Sequence, residues 1–161
     1  MHNQLLMEQL KFVKGLDPIA DAFDNAATPA TDIVSMKDHD SIAFVGYIGV
    51  GATGTQTLTV EACSDTSASA TTAIAFWYRQ VLTADTQGTL TRATSSGFTT
   101  TAGSSKIWVI EVRAEDVFAT GYNYVRVKQS AEPVNSPCLG GILVLLGNPR
   151  FPQKGDLRTS I

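Results

Sequence analysis

From residue 42 onward, hydrophobic and polar residues alternate at period two, in short runs separated by clusters of Gly, Ser, Thr and Asp. That spacing predicts β-strands, and helical periodicity is nearly missing. In Thr55–Cys63 the side chains of Leu58, Val60 and Ala62 fall on one side and those of Thr55, Thr57, Thr59 and Glu61 on the other, because successive strand residues point to opposite faces. This is a half-buried strand with a wet threonine face. Residues 42–48 and 73–82 read similarly, though apolar on both faces in places. In residues 106–113, Trp108, Ile110 and Val112 share an inward face. In residues 122–128, Val125 and Val127 point inward and Tyr122, Tyr124, Arg126 and Lys128 outward.

The segment 139–146 (LGGILVLL) has no polar alternation. It is expected to be central in a sheet, or to have its second face covered by another subunit. Between the strands lie polar connections at residues 64–72 and 83–105, the second with a weak hairpin signal over 89–101. Six or seven such strands without crossover helices predict an all-β fold, an antiparallel β-sandwich of jelly-roll-like form. The first residues differ in character. Leu5, Leu6, Met7 and Leu10 suit a helical turn or two, Gly15 and Pro18 stop it, and residues 25–31 (NAATPAT) read as a linker. The expected organisation is therefore an extended N-terminal arm and linker over 1–31, the sandwich over 32–147, and a C-terminal tail over 148–161.

The chain has 161 residues, 43% hydrophobic and 17% charged. That is room for one domain with its own core, and it is too apolar for a disordered chain. No run approaches the roughly 18 apolar residues of a membrane span, and the N-terminus lacks the pattern of a secretory signal, so neither a membrane nor the general secretory route is expected. The net charge of −3, with 12 Lys and Arg scattered along the chain, leaves no basic field for phosphate, so no nucleic-acid partner is expected. Two cysteines, Cys63 and Cys138, are too few for a zinc site of four Cys or a disulfide framework. They are expected to be unpaired thiols.

Three motifs invite a chemical reading. Residues 49–54 (GVGATG) match the dinucleotide fingerprint letter for letter, but the fingerprint works by opening a helix, and residues 55–63 carry a strand pattern. A hairpin loop is the better expectation. Asp38, His39 and Asp40 place an imidazole between carboxylates, yet adjacent residues of an extended chain diverge, which favours a polar turn over a metal site. Glu115 with Asp116, and Asp17, Asp21 and Asp24, are acid pairs expected in solvated turns. No nucleophile motif is present, so no enzyme activity, cofactor or metal is expected. Trp77, Tyr78, Trp108, Tyr122 and Tyr124 suggest a stacking platform for sugars, with Trp108 better placed in the core. Tyr122 and Tyr124 beside Arg126 are the residue types enriched at protein interfaces.

Residues 11–23 (KFVKGLDPIADAF), 49–63 (GVGATGTQTLTVEAC), 114–128 (AEDVFATGYNYVRVK) and 136–147 (SPCLGGILVLLG) resemble a group of small proteins of tailed bacteriophages regarded as head decoration, or cement, proteins. The resemblance spans roughly residues 11–152 and lies in overall pattern. It implies a jelly-roll-like structural protein of the virion on the outer capsid surface, assembled in the host cytoplasm. It further implies a homotrimer whose partner is the major capsid protein, with no catalytic residue. The interface candidates are Leu10, Phe12 and Val13 of the arm, Tyr122, Tyr124 and Arg126 of the outward face, and Ile142, Val144 and Leu146 of the apolar run. The alternative is a carbohydrate- or receptor-binding module of a phage appendage.

Overall fold

The period-two segments are strands in the computed structural model, which describes residues 6–19, 29–134 and 139–150. A short helix, α1 (Leu6–Gln9), leads into β1 (Lys11–Ile19), and after residue 29 the chain forms β2 (Val34–Ser35), β3 (His39–Ile48) and β4 (Thr55–Cys63). Then come β5 (Thr71–Ile74), β6 (Phe76–Thr83), β7 (Thr86–Gln87), β8 (Thr91–Ala93) and β9 (Phe98–Thr99). The last elements are β10 (Ile107–Arg113), α2 (Ala114–Phe118), β11 (Tyr124–Val134) and β12 (Gly140–Pro149). One sheet has the order β1-β12-β3-β10-β6-β7, with β8 also on β6. The other has the order β2-β11-β4-β5, with β9 also on β4. Every strand pairing is antiparallel. The chain is an all-β antiparallel sandwich, as the periodicity predicts.

The core lies between the sheets because each strand turns its larger apolar set inward. Ile42, Phe44, Trp108, Ile110, Val112, Val144 and Leu146 of the seven-stranded sheet are buried, as are Leu58, Val60, Ala62, Val125 and Val127 of the five-stranded sheet. Phe98 of β9 ties the two layers, with its ring stacked at 4.1 Å on Tyr78 and edge-on to Trp108 at 6.4 Å. Gly46 makes room for that indole: a Cβ there would lie 2.1 Å from the Trp108 ring. The side chains of Gln56 and Gln129 are also buried, and Gln56 Oε1 and both amide atoms of Gln129 have no hydrogen-bond partner.

Several sequence expectations change. The arm expected over 1–31 includes β1, which pairs with β12 from Lys11↔Leu146 to Ile19↔Gly140, so the seven-stranded sheet begins well before residue 32. Alternation is hard to see there because a register shift between Lys14 and Leu16 interrupts the pairing. Residues 29–32 are a seam: Thr31 N–H donates to Val127 O, Asp32 N–H to Gly15 O, and Gln129 N–H to Pro29 O, each at 2.9 Å. They join the β1 edge of one sheet to β11 of the other. The expected tail begins inside β12, and Arg150 is held by Asp38 O and the Asp40 carboxylate. The signal over 89–101 is no hairpin, since β8 pairs with β6 and β9 with β4, in different sheets. Residues 49–54 likewise connect β3 to β4 across the sandwich instead of within one sheet. The acids Glu115 and Asp116 lie on α2, whose Ala114 and Val117 are buried.

Candidate interaction surface

The nine interface candidates do not form one surface. Val13, Ile142, Val144 and Leu146 are buried in the core. The run 139–146 is apolar on both faces, and the fold turns its Ile142, Val144 and Leu146 inward together with Val13 of β1, so these four are unavailable to a partner. Leu10 is half-buried at the end of β12, 3.4 Å from where a Cβ on Gly147 would sit. Phe12 points outward and is 49% exposed. Tyr122 precedes β11 and packs against the core instead of joining Tyr124 on the strand face. Tyr124 and Arg126 remain together on the outside of the five-stranded sheet.

The outer face of the seven-stranded sheet is set by register. Its middle row runs Lys14, Leu143, Val45, Val109, Arg79 across five strands. One row over are Phe12, Leu145, Ala43, Glu111 and Trp77, and on the other side Gly141, Tyr47, Ile107 and Val81. Three of these fourteen positions are charged, although the outside of an antiparallel sheet ordinarily carries polar residues. Tyr47 is 58% and Leu143 43% exposed. A shallow groove beside Tyr47 and Leu143 is walled by Leu16, Asp17, Pro18 and Ile107. Apolar surface this continuous on an outer sheet face is of the kind that interaction sites are built from. Of the nine interface candidates only Phe12 lies on this face, and the second face of 139–146, expected to be covered, is the one that carries Leu143 and Leu145. The signal is present in Val45, Tyr47, Ile107 and Val109, which occupy positions where an alternating strand would place polar residues.

The outside of the five-stranded sheet is built differently. Glu61 of β4 stands opposite Arg126 of β11, and Arg126 Nε and Nη2 donate to Glu61 Oε2 at 2.9 and 2.7 Å. Lys128 Nζ lies 3.7 Å from the other carboxylate oxygen. Threonines occupy much of the remainder, with Thr57 and Thr99 hydroxyls 2.9 Å apart. The Lys37 ammonium lies 5.4 Å from the centre of the Tyr124 ring. Cys63, on the same outward register, is a free buried thiol, and burial raises its pKa to about 11.

The motifs that invited chemistry are separated from it by their settings. Residues 49–54 lead into β4, so no helix N-terminus faces the glycines. His39 begins β3 and is buried with neither ring nitrogen hydrogen-bonded, which corrects the expectation of a polar turn. Burial lowers its pKa, with the Lys11 charge acting in the same direction. Among the described residues no three His, Cys, Asp or Glu side chains are grouped as metal ligands would be, and no helix is long and apolar enough to cross a membrane. Asp21, Asp24 and Cys138 lie outside the described residues. Of the aromatic candidates, Trp108 and Tyr78 belong to the core, and Trp77 has the Arg92 guanidinium 5.6 Å from its ring centre. No protein-family model, curated protein or solved structure matches the chain.

Proposed function

We propose that the chain is a structural virion protein that decorates the outer surface of a tailed-phage head and stabilises it by bridging major capsid protein subunits. The observation that carries this reading is the apolar outer face of the seven-stranded sheet, lying back to back with a face of different chemistry. A bridging protein needs two separate surfaces on one stiff body. The sandwich supplies them, one apolar and broad, the other bearing Tyr124, Arg126 and Lys37. Tyrosine and arginine held by their neighbours lose little side-chain freedom on docking, which suits the second face to a protein lattice. The jelly-roll-like description and assembly as a homo-oligomer come with the family resemblance and belong to this same proposal.

The test is co-sedimentation of the purified chain with heads assembled from the capsid protein of the same phage. Saturable, stoichiometric binding is expected, and Tyr124→Ala together with Lys37→Ala should reduce it about tenfold or more, the loss of one interface hot spot. Absence of binding at saturating protein would overturn the proposal. Deletion to probe the N-terminal arm has to stop before Lys11, because cutting at residue 14 removes paired residues of β1 and confounds attachment with folding.

A further inference from the structure

We infer that the apolar outer face of the seven-stranded sheet docks against the same face of a second copy of this chain, about a two-fold axis lying in the contact plane. The inference rests on the reading of that face as a docking surface, but gives it to a second copy in place of the homotrimer that the resemblance implies, so that the two outward polar faces of the pair are left to do the bridging. The size of the apolar face suits a reversible pair. Five strands about 4.8 Å apart and three outward rows about 6.8 Å apart make a patch of about 500 Å² in projection. That is below the roughly 800 Å² per partner of a standard interface and in the range of a small, reversible one.

The charges agree as well. Lys14 and Arg79 stand at opposite ends of the middle row, Glu111 lies one row away beside Trp77, and Asp17, without a register partner of its own, lies 3.3 Å from the Lys14 ammonium and lines the groove on this face. A two-fold axis along the strands would set Lys14 against Arg79 of the second copy, and one along the rows would set Lys14 against itself. An axis inclined about 60° to the rows, laid out on the strand spacings, instead places Lys14 over Glu111 of the second copy and brings Arg79 toward Asp17 of the second copy. Two-fold symmetry makes each pairing occur twice. The three charges within the apolar rows are thus compatible with self-association in one orientation and oppose it in the two simplest others. Among the described residues Lys14 has one ion pair, an exposed contact to Asp17 at 3.3 Å, so little is lost when it turns to a new partner.

Sedimentation equilibrium of the full chain decides this. A monomer–dimer equilibrium is expected. Leu143→Glu, at an already exposed position, should yield a monomer with an unchanged circular dichroism spectrum. Lys14→Glu and Glu111→Lys should each weaken the dimer about tenfold or more, since each sets like charges together, and the double reversal should restore most of the loss. A chain that stays monomeric, forms a trimer, remains dimeric as Leu143→Glu, or shows no rescue in the double reversal overturns the inference. The head-binding assay is scored separately: a monomer that still decorates heads removes this inference alone, and a dimer that ignores heads removes the proposed function alone.

Discussion

The two outer faces of this sandwich solve the same problem in opposite ways. Behind β4 and β11, threonine hydroxyls and the Arg126–Glu61–Lys128 cluster cover the sheet with groups that remain satisfied in water. Behind β12, β3 and β10, the equivalent positions hold leucine, valine, isoleucine and tyrosine. Both sheets turn aliphatic and aromatic side chains to the shared core, so folding does not explain the difference. A residue that leaves water only in a complex contributes to association instead of monomer stability, and the contrast separates positions selected for packing from positions available for contact.

The largest effect that tests this separation lies within β10, where Trp108 and Val109 are neighbours on opposite faces. Trp108→Ala should cost about 3 to 5 kcal/mol, because it empties the space beneath Gly46 and removes the edge contact to Phe98. Val109→Thr should stay within about 0.5 kcal/mol in the monomer. Urea unfolding of both variants measures the pair, and comparable losses would break the distinction between the faces.

The next effect has the opposite sign. Gln129 points inward with both amide atoms unpartnered, so Gln129→Met should stabilise the chain by about 1 to 2 kcal/mol by removing a desolvated polar group. An unchanged or lower denaturation midpoint would mean that this amide is satisfied in solution.

On the polar face, a double-mutant cycle with Glu61→Gln and Arg126→Met should give a coupling of about 1 kcal/mol. The two side chains are only 14% and 19% exposed, which places the pair at the upper end of surface ion pairs. Coupling near zero would make this face a solvated one without internal order.

The smallest effect is a pH dependence from His39. Its pKa is lowered from 6.5 in the folded chain, so the unfolded chain takes up the proton first as pH falls. The stabilisation is complete above about pH 6.5 and is lost as pH falls through the folded pKa. In His39→Leu, stability measured between pH 7.5 and about pH 5 should lose this part of its slope, the interval being the usual titration range of a histidine. A slope identical to that of the native chain would show that His39 titrates normally.

Much of the strand content is legible in the sequence because period two is a local property. Leu58, Val60 and Ala62 can be assigned to the core from Thr55–Cys63 alone, and Trp108, Ile110 and Val112 from their own segment, since a polar neighbour marks the opposite face. Where both faces are apolar that mark disappears. In β12 the sequence establishes that the strand is covered on at least one side, but only the fold decides that Ile142, Val144 and Leu146 face the core and Leu143 and Leu145 face out. β1 reads as an arm because the register shift near Gly15 breaks the alternation, and its place at the sheet edge depends on β12, more than one hundred residues later. The crossing of residues 49–54 between sheets, the division of residues 89–101 between two layers, and the assembly of one apolar face from β1, β12, β3, β10 and β6 are likewise matters of long-range pairing. Strand chemistry states which residues can pair and which side each takes; which strands are brought together is decided by burying both inner faces at once, and that cooperative condition belongs to the whole tertiary structure.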